Sequence, residues 1–239
     1  MSIVTEVLNE AFGTWKRHPD PEALERFELY HALLTERNRM MDLSNVPDDD
    51  MPKRHYMDSI LPILRHPELI GPDESILDVG SGAGLPGIPL AIMCPRQRVT
   101  LLEANGRRCD FLREVIERLE LTETCVIEGR AEMMGRDEHC RECFDSALSR
   151  AVAALPELLE YMLPFVRAGG RALCWKGRRA EEEMAAAAHA AEVLGDAVLK
   201  AFPYGENDQE SVLIVAEKRR NTPDAYPRRV GIPHKRPIS

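Results

Sequence analysis

The sequence predicts an α/β fold with a mainly parallel, seven-stranded sheet, helices on both faces and an N-terminal helical extension. Three observations carry this. From Ser75 onward, seven short apolar runs alternate with helical stretches. The first run, Ile76-Leu77-Asp78-Val79, ends in a glycine cluster, as a buried parallel strand entering a tight turn does. Residues 1 to about 70 instead show helical spacing and no convincing strand.

Taken in order, Pro19, Asp20 and Pro21 mark a helix start, followed by Leu24, Phe27, Tyr30, Leu33 and Leu34 on one face. Asp48, Asp49, Asp50 and Pro52 make a break, and a second helix starts near Met51 with Tyr56, Ile60, Leu61 and Leu64 on one face. Later strands are expected at Val99–Leu102, Cys125–Glu128, Phe144–Leu148, Arg171–Trp175, Val198–Phe202 and Ser211–Ala216. Helices are expected at Ile88–Met93, Arg107–Leu119, Pro156–Val166 and Ala180–Leu194. The last is alanine-rich, which helix propensity explains without function, and His189 within it reads as an exposed helix residue. Pro223, Pro227, Pro233 and Pro237 keep the tail out of regular helix or central strand, so it is either disordered or an extended arm on a surface. The expected division is a helical extension over 1–72, the sheet domain over 73–217 and an arm over 218–239.

Of 239 residues, 44% are hydrophobic and 30% charged, which excludes whole-chain disorder, collagen and coiled coil. No apolar run approaches the roughly 20 residues that span a bilayer, and the N-terminus lacks a signal-peptide layout. A cytoplasmic location is the default expectation. Six cysteines are scattered without a paired framework, as reduced thiols are. Cys140 and Cys143, beside His139, lack a second ligand pair, so no metal is expected. The net charge is −9, but residues 218–239 hold seven bases and one acid, +6, leaving −15 for the rest. An acidic body with a basic tail meets a polyanion locally, or simply keeps its terminus soluble.

The most informative segment is Asp78-Val79-Gly80-Ser81-Gly82-Ala83-Gly84-Leu85-Pro86-Gly87. Glycines after a strand allow positive φ and close approach of a ligand to the backbone. Glu103, ending the second strand, is placed to accept the hydroxyls of a ribose. Asp78 suits a cationic ligand such as the amino acid end of S-adenosylmethionine, and Pro86 removes an amide that a pyrophosphate would use. The ligand read from Asp78, Gly80, Gly82, Gly84 and Glu103 is therefore S-adenosylmethionine rather than NAD, in a Rossmann-like methyltransferase fold. After the third strand, Gly129-Arg130-Ala131-Glu132 can line the purine. After the fourth, Arg150 either pairs with the ligand carboxylate or holds the loop. Arg107 and Arg108 meet a phosphate backbone or are merely solvated.

The fourth strand lacks the Asn/Asp-Pro-Pro-aromatic pattern of enzymes that methylate exocyclic amines; Ser149-Arg150-Ala151-Val152 stands there. A pyrimidine-carbon enzyme needs a thiolate, and Cys174 lacks the usual flanking pattern. A ring nitrogen such as guanine N7 loses no proton on attack and needs no general base, so positioning and electrostatics suffice.

The chain resembles the RsmG (glucose-inhibited division protein B) family of bacterial small-subunit ribosomal RNA methyltransferases. The resemblance rests on Arg54-His55-Tyr56-Met57-Asp58-Ser59-Ile60, Asp78 to Pro89, Arg107-Arg108 with Phe111-Leu112, and Arg130-Ala131-Glu132. It continues through Ser149-Arg150-Ala151-Val152, Lys176-Gly177 and the tail from Tyr226 to Lys235. It implies N7 methylation of a guanine in 16S ribosomal RNA, guanine 527 by the family's convention, with S-adenosylmethionine as donor. By matching position, Gly80, Leu85, Ala131, Glu132 and Arg150 touch the cofactor, while Arg54, His55, Asp58 and Lys176 position the substrate. No residue is expected to act as a catalytic base. Arg107, Arg108, Lys218, Arg228, Arg229, Lys235 and Arg236 are assigned to RNA. The expected partner is 16S RNA or a small subunit in assembly, and the expected state is a monomer. The family's Asn-Leu-Thr reads Asp42-Leu43-Ser44 here, which puts the Asn role in doubt. His55 faces the substrate or is a buried histidine bonded to Asp58. A methyltransferase with a small-molecule acceptor and a non-catalytic nucleotide- or RNA-binding module are the alternatives.

Overall fold

The computed structural model describes residues 2–14, 19–205 and 211–239. The lead comprises α1 (Ile3–Thr14), α2 (Pro21–Met41), a 3-10 turn (Asp48–Asp50), a π-helical turn (Pro52–Met57) and α3 (Asp58–Arg65). Asp20 caps α2 by accepting from the N–H of Glu22, with Pro21 in the first helical turn. Asp42 closes the helix at φ 48. Asp is one of the few residues with a side chain that tolerate this left-handed conformation.

From residue 75 the chain alternates as expected: β1 (Ser75–Val79), α4 (Gly87–Met93), β2 (Arg98–Glu103), α5 (Gly106–Arg118), β3 (Thr124–Glu128), α6 (Ala131–Met134), β4 (Phe144–Arg150) and α7 (Leu155–Met162). Then follow β5 (Val166–Lys176), α8 (Ala180–Ala186), α9 (Ala188–Gly195), β6 (Val198–Pro203), β7 (Val212–Glu217) and α10 (Ile232–Lys235). The strand order is β3-β2-β1-β4-β5-β7-β6. β7 runs antiparallel between β5 and β6, and the remaining pairs are parallel. The order reverses between β1 and β4, which opens a crevice beyond their carboxyl ends.

Two helices differ from the sequence expectation. The one expected to reach Val166 ends at Met162; a 3-10 turn over Leu163–Phe165 contains Pro164, and Val166 already starts β5. The alanine-rich helix breaks at the buried Ala187, whose N–H bonds the carbonyls of Glu183 and Met184. Propensity is high on both sides of that break, so tertiary packing sets it.

The sheet separates two apolar layers. One joins Phe27, Tyr30 and Tyr56 of the lead with Ile88, Phe111 and Leu112 from α4 and α5. The other joins Leu158, Met162, Phe165, Leu194 and Ile214. Burying each such side chain contributes about 1.5–3 kcal/mol. The lead is thus part of the main core, and the Tyr30 hydroxyl donates to the Ala83 carbonyl in the glycine loop at 2.7 Å.

The tail is an extended arm laid on the body. Arg136 donates to the carbonyls of Pro227 and Ala225, and Arg141 to those of Tyr226 and Thr222. This corrects the expectation for two tail bases. Lys218 is buried, and its Nζ donates to Glu142 and to the carbonyls of Leu163 and Val166. Arg228 is bound to Glu160, itself fully buried. Lys218 is sealed away from any phosphate, and Arg228 is committed to Glu160 while 27% of its side chain stays exposed. No described helix is long and apolar enough to cross a membrane.

Candidate cofactor cleft and active site

The turn after β1 is held from behind. Gly80, Gly82 and Gly84 all have positive φ, at 74°, 57° and 95°. A Cβ on Gly84 would lie 2.5 Å from Ile88 Cγ1, and one on Gly87 would lie 2.8 Å from Asp78 Oδ2; these glycines pack against protein. A Cβ on Gly82 would meet only its neighbour's carbonyl, at 3.9 Å, and otherwise open space. Gly82 therefore leaves open space where a side chain would stand.

Asp78 lies beneath this turn rather than in the cleft. It is fully buried, Oδ2 accepts from the Gly87 N–H at 3.0 Å, and Oδ1 has no partner. Burial pushes its carboxyl up to about 7, against the Gly87 hydrogen bond that favours ionisation.

One cleft of about 960 Å³ brings together Gly80, Gly82, Leu85, Glu103, Arg108, Ala131, Glu132, Arg150 and His55. Glu103 is fixed at its rim: Oε2 accepts from the Gly82 N–H at 2.9 Å, and Oε1 from those of Ala104 and Asn105. Two carboxylate oxygens offer about four lone-pair sites, so one remains beside these three bonds. Ala131 and Glu132, at the start of α6 just after β3, also line the cleft.

Arg150 settles against the lead. Its guanidinium donates to Asp58 Oδ2 at 3.0 Å and to His55 Nδ1 at 3.1 Å. Because arginine only donates, Nδ1 of His55 is the acceptor, and Nε2 bears the proton given to Ser44 Oγ at 2.6 Å. Burial and then the Arg150 charge lower the His55 imidazole to about 4, which keeps it neutral. His55 therefore bonds Arg150 and Ser44, with Arg150 reaching Asp58, in place of the direct His55–Asp58 bond considered from sequence. Tyr204 donates to the other Asp58 oxygen at 2.8 Å.

Besides Asp78, Asp58 and the tail bases, four sequence-expected residues lie outside this cleft. Gly84 is packed behind the turn, Arg54 is exposed on the lead, and Arg107 is exposed at the start of α5. Lys176 faces a neighbouring cavity of about 530 Å³ that shares Ala151 and Val152 with the cleft. Cys174 is sealed in the core and burial pushes its thiol up to about 12, so it is not a nucleophile.

The cleft also contains residues the sequence reading did not assign: Ser44, Glu157, Tyr161, Val230, Gly231 and His234. Tyr161 donates to Glu157 at 2.8 Å, and His234 Nδ1 contacts the same carboxylate at 3.1 Å. The i, i+4 spacing of Glu157 and Tyr161 on α7 was a readable sign that they share a face. The arm residues carried no comparable sign.

A glycine turn after β1, an acid at the end of β2 and this strand order together define a Rossmann-like methyltransferase. Two solved structures share the fold. One is a predicted O-methyltransferase of Agrobacterium tumefaciens, with TM-score 0.52 and 22% identity, covering 70% of this chain and 84% of that one. The other is M. jannaschii TYW2 in complex with AdoMet, with TM-score 0.50 and 18% identity, covering 65% and 74%. The chain belongs to the rRNA small subunit methyltransferase G (GidB) family, whose model matches residues 23–212. Similar relatives include the ribosomal RNA small subunit methyltransferase G of Carboxydothermus hydrogenoformans, 40% identical over 222 residues, 92% of this chain and 93% of that one. That of Lactobacillus johnsonii is 37% identical over 217 residues, 90% and 91% of the two chains.

Proposed function

We propose that this protein transfers a methyl group from S-adenosylmethionine to N7 of a guanine in 16S ribosomal RNA. The observation that carries the reading is the open space beside Gly82, whose N–H is held by Glu103 at the rim of one cleft. Gly80, Gly82 and Leu85 would hold the donor's amino acid end, Glu103 its ribose, and Ala131 with Glu132 its purine. Asp78 would act through the turn.

When bound, the donor supplies a sulfonium methyl group; the N7–carbon bond forms as the carbon–sulfur bond breaks, its electron pair stays on sulfur, and no proton leaves the base. The protein's part is then positioning and charge. The engaged state of the cleft's titratable groups supports this. Both His55 nitrogens are bonded, His234 contacts Glu157, Glu103 accepts three amides, and Glu132 accepts the Gly231 N–H. None of these is a disengaged general base. The neighbouring acids Glu103, Glu132 and Glu157 favour the positive charge that develops on the ring.

Arg54, Arg107, Arg229, Lys235 and Arg236 are exposed and Arg108 lines the cleft, so these bases remain assigned to RNA phosphates. Titration calorimetry with S-adenosylmethionine and NAD tests the ligand reading. Saturable binding of the former alone, lost in Glu103→Ala with the variant folded, is expected. Binding of NAD alone would overturn it.

A further inference from the structure

The cavity of about 530 Å³ beside the cofactor cleft lies beyond the carboxyl ends of β4 and β5 and falls within the roughly 300–1,000 Å³ span of small-molecule sites. Ala151 and Val152 are the shared wall. Ala151 holds φ 58, a left-handed conformation rare for a residue with a Cβ, and such strain concentrates at functional sites. Val152 is fitted to the glycine turn: a Cβ on Gly80 would lie 2.8 Å from its Cγ2. The divider is therefore set by the cofactor loop itself.

The far wall carries a fixed ion pair. Lys176 Nζ donates to the Ala153 carbonyl and to Glu183 Oε2, both at 2.7 Å, and the same Oε2 accepts from the Leu155 N–H at 3.0 Å. These bonds leave Glu183 Oε1 as an acceptor and the third Lys176 N–H as a donor. Ala153, Ala154, Pro156 and Ala186 add apolar surface, and Arg179 and Glu182 complete the lining.

A donor beside an acceptor matches the Watson–Crick edge of guanine, which presents O6, N1–H and the 2-amino group. Adenine presents the opposite order. N7 lies on another edge and stays uncovered. In an RNA duplex N7 faces a deep, narrow major groove that side chains do not read, so the base must be presented out of the helix. We propose that this second cavity is the acceptor pocket, taking an unstacked guanine whose 2-amino group and N1–H are read by Glu183 and whose O6 is read by Lys176. This deepens the guanine-N7 reading and rests on it.

The test replaces the methylated guanosine of the ribosomal RNA substrate with inosine, which keeps N7 and O6 and lacks the 2-amino group. Wild-type kcat/KM should fall roughly ten- to a hundredfold, as for a lost hydrogen bond to a charged acceptor. Glu183→Gln should lose a similar factor on guanosine, erase the guanosine–inosine difference and keep its S-adenosylmethionine affinity by calorimetry. Equal wild-type rates on both RNAs would overturn the proposal whether or not the variant folds, as would a variant that keeps the full inosine penalty. A wild-type enzyme that labels no guanine would instead overturn the underlying reading.

Discussion

The backbone N–H of Gly231 donates to Glu132 Oε1 at 2.9 Å, so the C-terminal arm is fastened to the acid expected to line the cofactor's purine. Arg228, three residues earlier, anchors the same segment to Glu160 through its side chain and its own N–H. Cutting this anchor affects stability and the cleft together. Arg228→Ala leaves Glu160, with no exposed surface, without an opposing charge and held only by the backbone N–H of residue 228. The expected cost is about 3–5 kcal/mol, a fall in Tm of roughly 6–20 °C for a chain of this size, with weaker S-adenosylmethionine binding by calorimetry. An unchanged melting curve would show that the arm is not held this way.

The glycine turn separates a packing role from a ligand role. Gly84→Ala should lower Tm sharply, because its Cβ collides with Ile88 at 2.5 Å and Leu112 at 3.1 Å. Gly82→Ala meets no such wall and should cost only about 1–2 kcal/mol of left-handed strain, yet abolish measurable donor binding by placing a methyl group in the cleft. Equal Tm losses with equal affinity losses would contradict the distinction.

Asp78 sets a pH dependence. Its carboxyl is raised from the ordinary carboxylate range to about 7, so the folded protein binds the extra proton between pH 4 and pH 7. Its contribution to stability is full below pH 4 and is lost as pH rises through 7. Asp78→Asn keeps an acceptor for the Gly87 N–H and removes the titration. The stability difference between variant and wild type, from urea melts, should therefore favour the variant progressively more from pH 5 to pH 8. Parallel curves over that range would refute the assignment.

The sheet and the cofactor turn were legible because their determinants are local: apolar runs, a glycine cluster and acids at fixed offsets. Gly80, Gly82, Glu103, Glu132 and Arg150 meet in one cleft accordingly. What was hidden depends on partners distant in the chain. Lys218 and Arg228 look like the rest of the basic tail until Glu142 and Glu160 are seen beside them. Glu183 looked like one acid of an alanine-rich helix, although it holds Lys176 and the Leu155 N–H across two turns of the fold. Charge composition cannot report which charges are already paired.

The remaining tail bases carry a separate expectation. Replacing Arg229, Lys235 and Arg236 by alanine should raise KM for RNA and flatten its salt dependence by up to about 0.7–0.9 per lost phosphate contact, with Tm nearly unchanged. Lys218→Ala should do the reverse, lowering Tm and leaving the salt slope intact. If both variants change the salt slope alike, the division of the tail into anchored and presented bases is wrong.

The most direct measurement supplies methyl-labelled S-adenosylmethionine with small ribosomal subunits, and separately with bare 16S RNA, from cells lacking this modification, then digests the RNA to nucleosides. The label should appear in 7-methylguanosine from at least one of the two substrates. Transfer to any other nucleoside, or no transfer to either substrate by protein that binds the donor, would contradict the account.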